Sequence, residues 1–145
     1  MSYRFQNSVE VAVSREAAWD YWTTVKNWES DPAIEAIILD REFAPGSKGI
    51  TRMKNGGEPI EWEIKSVSPG KAAVIEILLD RAVALFDWKF EAAGENNARF
   101  TQTITLDGEN ADDYLPMVGK EFEDGVRQGM AALARNMEKA IESQP

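Results

Sequence analysis

The sequence predicts an α+β fold in which a curved antiparallel sheet of about seven strands wraps one long C-terminal helix, with two short helices after the first strand. Three observations lead there. Apolar and polar residues alternate with a period of two through successive short segments between residues 34 and 106. Turns of hairpin length separate these segments, so strands adjacent in sequence pair antiparallel. After Asp107-Gly108-Glu109-Asn110 the period changes, and apolar residues recur every three or four positions almost to the chain end.

Residues 3–13 alternate, with Val9, Val11 and Val13 on one face and Ser8, Glu10 and Ala12 on the other. Ser14 is a good N-cap for the helix that follows, in which Trp19 and Trp22 share a side. A second helical turn over 24–29 stops at Asp31-Pro32, because the residue before a proline avoids the helical region. Strands are expected at 34–43 and 50–54, on either side of Pro45-Gly46-Ser47-Lys48-Gly49. Asn55-Gly56-Gly57 then turns the chain into the clearest strand, with Ile60, Trp62 and Ile64 against Glu61, Glu63 and Lys65. After Ser68-Pro69-Gly70 come a nearly all-apolar strand at 72–79 and one setting Phe86, Trp88 and Phe90 against Asp87, Lys89 and Glu91. The last strand sets Phe100, Gln102, Ile104 and Leu106 against Arg99 and three threonines.

The closing helix is expected to begin near 111–113, with Pro116 in its first turns, and to run to about residue 142, roughly 40 Å. Its stripe is Val118, Phe122, Val126, Met130, Leu133, Met137 and Ile141. It is the one long element available to cover the aromatic face of the sheet.

Composition narrows the chemistry. The 145 residues suit a single domain spanning 1–145, with no linker or repeat. There is no cysteine and no histidine, which removes disulfides, thiolate nucleophiles, Ser-His-Asp triads and the usual metal ligands. No acidic spacing suits calcium, and nothing calls for a metal or a cofactor. A net charge of −9 argues against nucleic acid and anionic membranes as partners. No apolar run is long enough to span a bilayer, and the first residues lack a signal peptide's core, so a cytoplasmic location is expected. Five tryptophans point to an interior built from large flat rings.

Four motifs, in this order, carry a resemblance. They are Val11-Ala12-Val13-Ser14-Arg15-Glu16-Ala17-Ala18-Trp19; Asn27-Trp28 ahead of Asp31-Pro32; Leu39-Asp40-Arg41-Glu42-Phe43 followed by Gly46 and Gly49; and Leu133-Ala134-Arg135-Asn136-Met137-Glu138. Over essentially its whole length the chain resembles the START/polyketide-cyclase-like (SRPBCC) superfamily, whose fold is called helix-grip. Ser30 stands where many relatives carry a second tryptophan. The resemblance implies a cavity between sheet and long helix that takes apolar ligands such as lipids, sterols, polyketides or plant hormones. Some relatives are cyclases, some carry ligands and some act on chaperones.

Candidate site residues follow from the inward positions. Trp62, Phe86, Trp88, Phe90 and Phe100 either line a pocket or fill a core. Five tryptophans mean a small pocket or none. Gly125 and Gly129 each cost about 1 kcal/mol against alanine in a helix, and so make room either for a tryptophan from the sheet or for a ligand. Met130 and Met137 suit a pocket wall or a core equally. Gln102 points inward and needs a partner: Asn7, Thr51, a water or a ligand. The parity of 34–43 is open; an inward Arg41 would orient a ligand carboxylate, an outward one would sit near a turn. Asp112, Asp113, Glu121, Glu123 and Asp124 read as a solvated face that favours the helix dipole.

The leading expectation is binding, with possible transport, of a small hydrophobic ligand that enters near Trp28 and rests on Trp62, Phe86, Trp88, Phe100, Gln102, Phe122, Val126 and Met130, with Arg41 helping to orient it. A cyclase or dehydratase-type enzyme is the second reading, and would rely on Asp40, Arg41 or Tyr21 for proton handling. A protein-interaction module is the third; it predicts a filled interior and an exposed apolar patch instead of a pocket, and Trp19, Trp22 or Leu85 on the surface would favour it. Leu78 and Leu85 on the outer sheet face allow a homodimer without requiring one.

Overall fold

The computed structural model describes residues 3–142. Its strands are β1 (Tyr3–Val11), β2 (Ile34–Leu39), β3 (Lys48–Met53), β4 (Ile60–Ser68), β5 (Ala72–Leu79), β6 (Ala82–Ala92) and β7 (Ala98–Asp107). Its helices are α1 (Arg15–Thr23), α2 (Ala111–Tyr114) and α3 (Lys120–Glu142), with 3-10 turns at Val25–Ser30 and Leu115–Met117. The fold is α+β: one curved antiparallel sheet in the order β1-β7-β6-β5-β4-β3-β2, gripping α3.

Alternation puts one row of large side chains inside the curve. Across the sheet, Asn7 pairs with Gln102 and Gln102 with Trp88; one step along, Phe5, Ile104 and Phe86 align; one step the other way, Val9, Phe100 and Phe90 align. In β4 a bulge between Ile64 and Ser66 lets Val67, rather than Ser66, rejoin the apolar face. The Ser14 hydroxyl caps α1 by accepting the Ala17 N–H at 3.1 Å, and this turns the chain inward so that Trp19 and Trp22 are buried. That burial withdraws two of the three side chains the interaction-module reading would have used, while Leu85 stays half-buried outside both cores.

Two boundaries differ from the sequence expectation. The strand expected at 34–43 ends at Leu39, because the next residues tie themselves into a loop. The Asp40 carboxylate accepts the Lys48 N–H at 2.9 Å, the Arg41 guanidinium donates to the Gly46 carbonyl at 2.7 Å, and the buried Ser47 hydroxyl donates to the Glu42 carbonyl at 2.6 Å. The long helix starts at Lys120 rather than near 111, and Val118 is not part of it. Pro116 has no N–H to continue a ladder, Val118 is extended and Gly119 takes φ +148°. Segment 111–117 instead folds over the far end of the sheet, where Ala82, Leu106 and Ala111 form a second small core flanked by Tyr114 and Leu115.

α3 is fastened mainly along its β1 side. It packs on β1 and more lightly on α1 and the Val25–Ser30 turn. The Tyr3 hydroxyl donates to Glu123 at 2.6 Å, Arg127 lies 5.0 Å from the centroid of the Phe5 ring, and the Ala12 N–H donates to Glu138 at 2.8 Å. Burial and the Glu123 carboxylate push the Tyr3 phenol upward, so it stays a neutral donor. No described helix is long and apolar enough to cross a membrane.

Candidate functional site

Because α3 leans toward β1, the opposite half of the sheet has no helix pressed on it. A cavity of about 540 Å³ occupies that space. Its floor is Ile75 and Ile77 on β5, Phe86 and Trp88 on β6, and Gln102 on β7; its roof is α3 from Glu121 to Asn136; Trp28, Thr51, Met53 and Trp62 close the side. It opens where Ile60, Glu121 and Gly125 line it and are themselves exposed.

Tryptophan rings form a continuous wall. Trp88 lies 5.0 Å from Trp22, Trp22 lies 5.8 Å from Trp28, and Trp28 lies 5.2 Å from Trp62, between ring centroids. Two of these indoles have their N–H groups engaged within the protein. Trp28 donates to the Trp22 carbonyl at 2.8 Å and Trp62 to the Thr51 hydroxyl at 3.0 Å. Trp62 lies across the β3 backbone at Gly49, where an added Cβ would overlap the indole. The glycine is what allows the ring to lie flat there.

Of the residues singled out in the sequence, Trp28, Trp62, Phe86, Trp88, Gln102, Phe122, Val126 and Met130 all line the cavity. Phe100 and Arg41 do not. Phe100 is fully buried behind the floor, stacked 6.1 Å from Trp88 and 5.8 Å from Phe90. Arg41 is exposed on the β2–β3 loop, held by the Gly46 carbonyl and 3.7 Å from Asp40. Asp40 shares that loop and Tyr21 lies outside the lining, so the groups an enzyme would have used do not meet in this cavity.

The helical glycines contribute empty space. A Cβ at Gly125 would meet nothing within 4 Å, and one at Gly129 would meet only an Asp31 carboxylate oxygen at 3.9 Å. No tryptophan approaches either of them. Gln102 is only 8% exposed, and among the described residues no protein group hydrogen-bonds its side-chain amide. Asn7, its cross-strand neighbour, donates to the Met130 sulfur at 3.3 Å, and Thr51 is taken by Trp62. The Gln102 amide therefore faces the cavity with its hydrogen-bonding capacity unspent.

Several lining residues carried no signal in the sequence beyond being apolar: Ile34, Met53, Ile60, Ile75, Ile77 and Leu133. Polar residues at the mouth were also not identified as lining. Asn136 donates to the Ser30 hydroxyl at 3.0 Å and Ser30 to the Asn27 carbonyl at 2.8 Å, tying α3 to the Val25–Ser30 turn. Glu121, read as part of a solvated face, lines the mouth together with Asp31. Glu29 secures the same turn to β2. Its carboxyl is held below the ordinary carboxylate range, first by the Ile37 N–H at 2.9 Å and then by Lys26. Among the described residues no group of three or more aspartates and glutamates is placed to hold a metal ion.

A family model described as "Polyketide cyclase / dehydrase and lipid transport" matches residues 2–138. The chain belongs to that family. No curated protein matches it. Solved structures share the fold at low identity. The ZhuI aromatase/cyclase from Streptomyces sp. R1128 superposes with a TM-score of 0.77 at 13% identity, over 99% of this chain and 98% of that one. Norcoclaurine synthase from Thalictrum flavum gives 0.74 at 10% identity, over 97% of this chain and 96% of that one. The protein Ara h 8.0201 gives 0.74 at 14% identity, over 99% of this chain and all of that one.

Proposed function

We propose that this member of the polyketide cyclase/dehydrase and lipid-transport family binds a small hydrophobic molecule between its sheet and α3. One observation carries the reading: an apolar, tryptophan-walled cavity that is open to solvent and holds one buried amide without a protein partner. A volume near 540 Å³ falls within the roughly 300–1,000 Å³ of pockets that enclose a drug-sized ligand. Apolar burial supplies the affinity at about 25 cal/mol per Å², less the cost of association. Gln102 supplies orientation, because a ligand hydroxyl or carbonyl there can hydrogen-bond an amide that reaches the cavity and that no protein group engages.

Binding is favoured over catalysis by the lining itself. It has no lysine, arginine, tyrosine or histidine, and its two carboxylates lie at the mouth rather than facing each other across the interior. The test is titration with the neutral dye 1-aminoanthracene, read by tryptophan emission. Saturable quenching is expected, and Gly125→Leu should abolish it by filling the cavity. No change in emission for the unmodified protein, or unchanged binding in that variant, refutes the proposal.

A further inference from the structure

We infer that the cavity prefers an apolar ligand bearing a protonated amine and rejects the matching carboxylate; the inference rests on the binding reading above. The first ground is the charge of the lining. No lysine or arginine contributes to it, whereas Asp31 and Glu121 both do, and neither forms an ion pair among the described residues. Asp31 uses one carboxylate oxygen to accept the Ala33 N–H at 2.9 Å. Its other oxygen is directed toward Gly129, where the missing side chain leaves it uncovered.

The arginines nearest in sequence or on the same helix lie outside the lining. Arg127 on α3 is turned to Phe5 and held by Asp124 at 2.8 Å, Arg135 on α3 is exposed beyond the lining, and Arg41 stays in its loop. An anionic ligand would therefore pass two carboxylates and find no cation inside, in a protein already carrying a net charge of −9.

The second ground is independent of those acids. With the N–H groups of Trp28 and Trp62 bound internally, the wall offers ring faces, and an indole face is the best neutral partner for an organic cation. The third is Gln102, more than nine-tenths buried and without a partner, which lies deeper than Asp31 and Glu121. A ligand with an ammonium at the mouth, an aromatic or aliphatic body and a hydroxyl or carbonyl at its inner end matches all three.

The test compares three probes with one apolar frame: 2-(2-naphthyl)ethylamine, 2-(2-naphthyl)ethanol and 2-naphthylacetate, titrated calorimetrically at pH 7 and low salt. The amine should bind about tenfold tighter than the alcohol, and the acetate at least as much weaker. The double variant Asp31→Asn/Glu121→Gln, which keeps the Ala33 hydrogen-bond acceptor, should remove most of the amine's advantage over the alcohol measured in the same variant, leaving the part that the indole faces supply. Equal or tighter binding of the acetate overturns the inference, as does an amine preference that is undiminished in the double variant. If the alcohol itself fails to bind, the binding reading falls, which is a separate outcome from loss of the charge preference alone.

Discussion

The interior has two halves built from the same kind of residue. In one half, α1 presses Trp19 and Trp22 onto Phe43 and Phe90, with Phe100 packed against Phe90 behind them. In the other, Trp28, Trp62, Phe86 and Trp88 face α3 across empty space. Trp22 belongs to both, which makes it the partition. The difference is set by the covering element rather than by the rings. α1 presents two tryptophans to the sheet; α3 presents Gly125 and Gly129 and is tied down on the β1 side. Aromatic content therefore does not distinguish a core from a pocket. The size of the side chains opposite does.

The comparison can be broken at the filled half first. Phe90→Ala should cost about 3–5 kcal/mol in chemical denaturation, since the ring is buried among four others and the site cannot collapse. Phe86→Ala, in the already open half, should cost distinctly less; equal losses would mean the halves are not packed differently. Gly49→Ala should cost about 1–3 kcal/mol and shift tryptophan emission, because the new methyl displaces the Trp62 indole. Gly125→Ala should stabilise the protein by about 1 kcal/mol with dye binding retained, a combination possible only where a helix glycine borders space. Destabilisation there would show that the gap is closed in solution. Gln102→Leu should raise stability or leave it unchanged while weakening ligands that carry a hydroxyl or carbonyl, and a clear loss of stability would mean that the amide has a protein partner.

The smallest effect concerns the lip of the open half. Glu29 carries a lowered pKa, so its contribution is present above the ordinary value of 4.5 and disappears as pH falls through the lower folded-state value. The stability difference between wild type and Glu29→Gln should be visible at neutral pH and vanish in acid. A difference that grows on acidification would contradict the hydrogen bond to Ile37.

The sheet was legible in the sequence because alternation is a local property, and Ile60-Glu61-Trp62-Glu63-Ile64 shows its inner face without reference to any partner. Gly125 and Gly129 were legible as a cost needing a reason, though the reason turned out to be vacancy rather than a tryptophan. Arg41 was not legible, since parity loses meaning once a strand gives way to a loop tied by side chains. The helix start was hidden because Val118 falls on the apolar spacing by coincidence, while Pro116 and Gly119 interrupt the backbone. The cavity was expected between sheet and helix, but its size could not be read in advance. Its volume is a small difference between the space the curved sheet encloses and the side chains that enter it, and it depends on where α3 is anchored. Asp31 reads as the punctuation before a proline, and only the proximity of α3 makes it part of a site.

Gly49 and Trp62 carry a last consequence. Each position constrains the other: the indole lies where a side chain at 49 would be, so the ring at 62 holds position 49 to glycine and the glycine makes room for the ring. For anyone reshaping the pocket, the two behave as a single variable. A smaller residue at 62 frees room on β3 for a side chain at 49, so outer walls of different width are reachable in paired steps, whereas either step alone is penalised. A double-mutant cycle across the pair should accordingly give a coupling far from zero.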